Sequence, residues 1–188
     1  MLNQKSLWLL YTSIIGLLAM PCSAAETSAG EKLATNCSGC HGAQGTSGSA
    51  DFPNLAGQQT AYLIAQLKAF KEGRRKNSIM NAQAASLSQS EMEQLAAFFN
   101  SQQPQSAGGE PALLKQGSAL VSQCMGCHGA ALKGNHHIPR LAGQQPDYLI
   151  KQLTAFKKGD RKGGPMSAVA AQFSEAEIQA IAAYLGSL

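Results

Sequence analysis

Cys37-Ser38-Gly39-Cys40-His41-Gly42 recurs as Cys124-Met125-Gly126-Cys127-His128-Gly129, 87 residues further on (37 to 124). The neighbourhood recurs with it. Leu55-Ala56-Gly57-Gln58-Gln59 matches Leu141-Ala142-Gly143-Gln144-Gln145 at an offset of 86 (55 to 141), so one residue has been lost from the intervening loop of the second copy. The same register then holds for Pro53/Pro139, Tyr62/Tyr148, Phe70/Phe156, Gly73/Gly159, Met80/Met166 and Phe98/Tyr184. Two copies at this period make two lobes; a solenoid wants three repeats or more. The polar Pro/Gly stretch that closes on Pro111 occurs once, and 104–111 reads as a linker between lobes over 26–103 and 112–188.

Ahead of the first lobe, 1–25 reads as a secretory signal peptide that is removed. Lys5 precedes an apolar run from Leu7 to Met20, and the small-residue site Ser23-Ala24-Ala25 stands before Glu26. The run is too short for a hydrocarbon core that takes about 20 helical residues. Pro21 makes Cys22 a poor lipid-attachment site, so Cys22 and the only tryptophan, Trp8, leave with the leader. The expected location is the periplasm, with the chain either free or peripherally associated with the inner-membrane surface.

The whole chain has 188 residues, 14% of them charged and 44% apolar, with a formal net charge of +4. That composition excludes a disordered or collagen-like chain. There is no Lys/Arg-rich block, and nothing in the sequence asks for a nucleic-acid partner. The lobes differ in charge. Residues 26–103 hold 6 Lys and Arg against 6 Asp and Glu, whereas 104–188 hold 8 against 5. Such an asymmetry would let one lobe meet donors and the other acceptors. Basic clusters at 71–76 and 157–162 follow the second helix of each lobe. They read as helix C-terminal cations on a solvated face or as a docking patch for an anionic partner.

The pattern predicts an all-α fold. Gly30, Leu33, Ala34 and Cys37, and likewise Gly117, Leu120, Val121 and Cys124, share one helical face, which predicts a helix running into each cysteine pair. Leu63, Leu67 and Phe70, matched by Leu149, Leu153 and Phe156, form the stripe of a second helix, and Pro146 sits near its start in the second copy. Ser88-x-x-Glu91 and Ser174-x-x-Glu177 are capping boxes that open the last helix of each lobe. Lobes of about 80 residues need more than an ordinary core to be stable. Something large and apolar is expected to complete each one.

The cysteines say what it is. Cys-x-x-Cys-His is the attachment string of c-type haem. Residues three apart on a helical turn face the same way, so both thiols reach one porphyrin while the following histidine points at the iron. Lone disulfides would not need His41 and His128 in the same place. The two cysteine pairs are too far apart in sequence for one zinc site, and a thioredoxin-like motif needs a βαβ pattern that is absent here. Two covalently bound c-type haems are expected, through Cys37, Cys40, Cys124 and Cys127, with His41 and His128 as axial ligands.

A second axial ligand in a duplicated lobe should itself be duplicated. Among the methionines past the leader only Met80 and Met166 are repeat partners, each read as part of a loop before the last helix. Met92 falls on a core stripe, and Met125 lies between its own two cysteines. The competing reading of Met80 and Met166 is ordinary core packing. Ligation by Met opposite His raises the reduction potential and closes the iron to added ligands. Pro53 and Pro139 precede Leu55 and Leu141 by two residues, where either carbonyl can accept the Nδ1–H of the axial histidine or simply stiffen the loop. His136 and His137 fall in the loop of unequal length and read as exposed residues.

Two class I c-type modules in one exported chain, each with Cys-x-x-Cys-His-Gly, Pro-x-Leu-Ala-Gly-Gln-Gln and a methionine before the last helix, resemble the dihaem cytochrome c-four family. The resemblance covers essentially all of 26–188. It implies two tandem class I cytochrome c domains related by a pseudo-twofold axis, with low-spin haems ligated by His41/Met80 and His128/Met166. It implies that Gly30 and Gly117 on the first helices meet Phe98 and Tyr184 on the last. It also implies an electron carrier, with no catalytic residues of its own, that passes single electrons from a quinol-oxidising complex to a terminal oxidase of the respiratory chain. The alternative is the dihaem electron-accepting subunit of a flavoprotein sulfide dehydrogenase. A dihaem peroxidase or thiosulfate dehydrogenase would need an open or unusual iron ligand.

Overall fold

The computed structural model describes residues 29–188, and the leader read over 1–25 lies outside them. Among the described residues the chain is helical, with one isolated bridge between Asn135 and Ile138 and no strand. Lobe one contains α1 (29–34), α2 (Ser38–His41), α3 (Thr60–Lys71), α4 (Ser78–Ala84) and α5 (Gln89–Ser101). Lobe two contains α6 (Leu114–Leu120), α7 (Met125–His128), α8 (Pro146–Lys158), α9 (Pro165–Ala171) and α10 (Glu175–Ser187).

Local chemistry sets the ends of these helices. The hydroxyls of Ser88 and Ser174 accept from the backbone N–H of Glu91 and Glu177, whose carboxylates accept in return from the serine N–H at 2.7 and 2.8 Å. Pro146 opens α8, and Gly159, in the left-handed region at φ +79°, closes it.

Two sequence expectations are corrected here. The helix expected to run into each cysteine pair stops short of it. In lobe one, α1 gives way to a turn at 35–37 before α2 restarts. There Thr35 Oγ1 donates to the Lys32 carbonyl and Ser38 Oγ to the Thr35 carbonyl, offering the backbone a local alternative to helix. In lobe two the break is a 3₁₀ turn over Val121–Cys124. The second correction concerns Met80 and Met166, which lie on helices. Met80 is in the first turn of α4, which Asn77 caps by accepting from the Met80 N–H at 2.9 Å. Met166 follows Pro165 at the start of α9.

Each core is built where the first helix crosses the last. A Cβ added to Gly30 would lie 2.3 Å from the Gln94 carbonyl oxygen and 2.8 Å from Phe98 Cβ. At Gly117 the corresponding distances are 2.1 Å to the Ala180 oxygen and 2.6 Å to Tyr184 Cβ. No side chain fits at either crossing. Ala34, Leu63, Leu95, Ala96, Phe98 and Phe99 fill lobe one, with Cys37 packed against them. Val121, Leu132, Leu149, Phe173, Ile178, Ile181 and Leu185 are at the centre of lobe two, with Cys124 against that cluster. The linker lies along α10, where Ser106 Oγ donates to the Gly186 carbonyl at 2.8 Å.

The lobes meet through contacts that recur when the lobes are exchanged. Arg75 donates to Tyr148 Oη at 2.9 Å and Gln152 Oε1 at 2.8 Å, and Arg161 donates to Tyr62 Oη and Gln66 Oε1, both at 3.1 Å. Each guanidinium also bonds the glutamine of its own lobe, Gln66 at 2.8 Å and Gln152 at 2.7 Å. Each lies over its own lobe's phenylalanine, Arg75 4.6 Å from the Phe70 centroid and Arg161 4.5 Å from that of Phe156. The basic clusters at 71–76 and 157–162 are therefore not wholly solvated. Their arginines at 75 and 161 turn inward to join the lobes. Burial raises the Tyr148 hydroxyl, but the guanidiniums of Arg75 and Arg161 outweigh it and hold the group below the usual tyrosine range.

Candidate functional site

The attachment string of lobe one folds into a single turn. The Cys37 carbonyl accepts from the N–H of His41 at 2.9 Å and of Cys40 at 3.2 Å. Gly42 ends the turn at φ +77°, where a Cβ would lie 2.0 Å from the Thr46 oxygen, and Gly129 takes the same φ in lobe two. Among the described residues, Cys37, Cys40, Cys124 and Cys127 form no disulfide. Cys37 and Cys124 are half-buried, and Cys40 and Cys127 are exposed. Burial pushes the Cys37 and Cys124 thiols up, and the neighbouring Cys40 and Cys127 add to the effect.

His41 and His128 are buried, at 7% and 6% exposure. Nδ1 of His41 lies 2.9 Å from the Pro53 carbonyl oxygen, and Nδ1 of His128 lies 2.8 Å from that of Pro139. With the proton on Nδ1 the ring donates to the carbonyl, and Nε2 is left as a lone-pair donor with no hydrogen bond of its own among the described residues. Burial lowers both imidazoles below the usual histidine range, and the proline carbonyls oppose that shift. The ring of Phe52 meets His41 edge-on at 6.1 Å.

Each lobe thus brings its two cysteines, its histidine and its proline carbonyl together. Met80 and Met166 are half-buried on short helices, with α4 packed on α3 and α9 on α8. Met92 is buried in lobe one at 2% exposure, and Met125 is 44% exposed. His136 and His137 are exposed on the turn around the Asn135–Ile138 bridge, with His136 at φ +54°.

Sequence reasoning missed one layer of the site, the glutamines that reach it from the opposite lobe. Gln144 Oε1 accepts from the Asn54 N–H at 2.6 Å, and Gln58 Oε1 accepts from the Arg140 N–H at 2.8 Å. Their only signal was the repeated Gln-Gln pair at 58–59 and 144–145.

Two cysteines three residues apart, beside a buried imidazole held at Nδ1 by a carbonyl, given twice, form a donor set that fits one covalently bound c-type haem per lobe. The sequence matches the Cytochrome c family model over residues 27–103 and 114–188. It is 35% identical over 205 residues to "Cytochrome c4" of Pseudomonas aeruginosa, covering 100% of both chains. The chain belongs to the dihaem cytochrome c4 family. This cytochrome superimposes on the crystal structure of reduced recombinant cytochrome c4 from Pseudomonas stutzeri with a TM-score of 0.81 and 35% identity, covering 86% of this chain and 98% of that one. It is also 34% identical to a "Thiosulfate dehydrogenase electron acceptor" of Stutzerimonas stutzeri, over 92% of this chain and 90% of the relative. Like the family, this cytochrome carries two covalently bound c-type haems and transfers electrons with redox-protein partners. Among the described residues no helix is long and apolar enough to cross a membrane.

Proposed function

We propose that this cytochrome shuttles single electrons in the periplasm, taking them from a quinol-oxidising complex and delivering them to a terminal oxidase. In this reading Cys37 and Cys40 hold one haem by thioether bonds, and Cys124 and Cys127 hold the other. His41 with Met80, and His128 with Met166, are the axial pairs. The bound haems supply a one-electron iron couple at each site. The protein's part is to keep that couple rigid and screened from water. The turn ending at Gly42 or Gly129 aims the imidazole, the Pro53 or Pro139 carbonyl fixes its tautomer and rotation, and the core packed on Cys37 or Cys124 closes around it. A thioether opposite the imidazole would leave the iron no open position, which suits a carrier and not a peroxidase.

The observation that carries this reading is the duplicated buried imidazole, held at Nδ1 and free at Nε2, beside two thiols. Spectroelectrochemistry of Met80→Ala and Met166→Ala tests it. Each variant is expected to halve the weak near-infrared sulfur-to-iron band and open one iron to carbon monoxide. A variant that keeps the full band removes that methionine from the ligand set.

The relative named as a thiosulfate dehydrogenase electron acceptor favours a second reading, in which the donor is a sulfur-compound dehydrogenase. Stopped-flow reduction separates the two. Fast reduction by a quinol-oxidising complex and slow reduction by such a dehydrogenase support the first, and the reverse order supports the second.

A further inference from the structure

The peptide that holds each histidine is itself held from the other lobe. The Pro53–Asn54 peptide accepts the His41 Nδ1 proton at its oxygen, at 2.9 Å, and its N–H donates to Gln144 Oε1 at 2.6 Å. With the lobes exchanged, the Pro139–Arg140 peptide accepts from His128 at 2.8 Å and donates to Gln58 Oε1 at 2.8 Å. Each glutamine closes a second bond. Gln144 Nε2 donates to the Asn54 carbonyl at 2.9 Å, and Gln58 Nε2 donates to that of Arg140 at 3.0 Å. The glutamines are buried, Gln58 at 6% and Gln144 at 7% exposure.

An amide whose N–H is hydrogen-bonded carries more negative charge on its oxygen, and in a dry interior such chains polarise one another. A stronger acceptor at Pro53 or Pro139 draws the Nδ1 proton outward and makes Nε2 more basic. A more basic ligand favours ferric over ferrous iron and so lowers the potential.

We infer that Gln144 is a positioning residue for His41, and Gln58 for His128, so that each lobe sets the ligand basicity and reduction potential of the other lobe's haem. The inference rests on the reading of His41 and His128 as axial ligands. Docking the lobes then contributes to the electronics of both sites as well as to stability.

The test is a redox titration of the full holoprotein followed by NMR, with haem-methyl signals assigned to each lobe. Gln144→Met should favour the reduced form of the lobe-one haem by about threefold, roughly 30 mV for a one-electron couple, and leave lobe two unmoved. Gln58→Met should do the converse. Gln144→Glu retains an oxygen acceptor for the Asn54 N–H and should leave the lobe-one potential at or below the wild-type value, a result readable even where the methionine variant fails to mature. In the reduced state the Asn54 amide proton should move upfield and exchange faster in Gln144→Met. Equal shifts in both haems, a shift confined to the glutamine's own lobe, no shift, or a raised potential in Gln144→Glu would each overturn the inference. Hyperfine-shifted ring signals of labelled His41 and His128 in the oxidised wild type test the ligand assignment separately. Their absence refutes that assignment, whereas their presence with uncrossed potentials refutes only the coupling.

Discussion

Lobe one places Gly45 at φ +78° after its attachment turn, and Phe99 fills the space above it. Lobe two places Leu132 at the matching position, at φ +58°, and Leu185 stands where Phe99 would. Both backbones bend this way for the same reason. The Gly45 carbonyl accepts from the N–H groups of Leu55 and Ala56, at 2.7 and 3.1 Å, and the Leu132 carbonyl accepts from those of Leu141 and Ala142, at 2.9 and 3.1 Å. That carbonyl anchors the stretch leading away from the proline, so the left-handed bend is kept whatever residue occupies it. Lobe one meets it without strain and fills the core with an aromatic ring. Lobe two accepts a left-handed cost of about 1–2 kcal/mol. It offsets that by burying a leucine, worth roughly 1.5–3 kcal/mol. Duplicated lobes thus conserve a hydrogen-bond requirement and redistribute the volume around it.

The sharpest way to break this comparison is to move the lobe-two residue into lobe one. In Gly45→Leu the new Cβ would lie 2.7 Å from Phe99 Cδ1 and 2.9 Å from the Ala56 nitrogen. We expect a loss of about 3 kcal/mol or more in thermal unfolding. Adding Phe99→Leu should recover part of it, and a double-mutant cycle showing no coupling would refute the paired exchange.

Emptying lobe two sharpens the point. Leu132→Ala keeps the strain and loses the packing, for about 2–5 kcal/mol. Leu132→Gly loses the same packing but relieves the strain, so it should be the more stable variant by about 1 kcal/mol. Denaturant midpoints in the opposite order would show that φ +58° costs nothing there.

The interface should be less sensitive and more even-handed. Tyr62→Phe and Tyr148→Phe each remove one acceptor from the opposite arginine, and each should cost about 1.5 kcal/mol. The guanidiniums hold the Tyr148 hydroxyl below the usual tyrosine range, so a spectroscopic tyrosinate titration should show an ionisation below that range which disappears in Tyr148→Phe.

The smallest effect lies in the capping boxes. The Ser88 and Ser174 backbone N–H groups, and then their hydroxyls, hold Glu91 and Glu177 below the usual carboxylate range. A carboxylate depressed in the folded state stabilises it above its unfolded value, and that contribution is lost as pH falls through the folded value. Glu91→Gln and Glu177→Gln should therefore lower the melting temperature slightly and equally at neutral pH, with both differences fading in acid.

Much of the fold was legible in the sequence because its signals are local. The repeated attachment string, the Ser-x-x-Glu caps, Pro146 and the period-3.6 stripes each act within one turn or one helix. The helix breaks at Thr35 and Val121 were not legible, since the apolar stripe continues through them while side-chain hydroxyls or a 3₁₀ turn divert the backbone. Met80 and Met166 read as loop residues because a helix of seven residues leaves too short a pattern to detect. The roles of Gln58, Gln144, Arg75 and Arg161 lay further out of reach. Their partners stand 73 to 99 residues away in sequence and become neighbours only once two folded lobes dock.

The central claim is that the duplicated turn holds two haems, one per lobe, through four named cysteines. Intact-mass measurement of the exported holoprotein followed by haem-peptide mapping tests it directly. The account predicts a mass of residues 26–188 plus two haems, with one haem peptide containing Cys37 and Cys40 and the other Cys124 and Cys127. A bare polypeptide mass, or haem on only one cysteine pair, would contradict it.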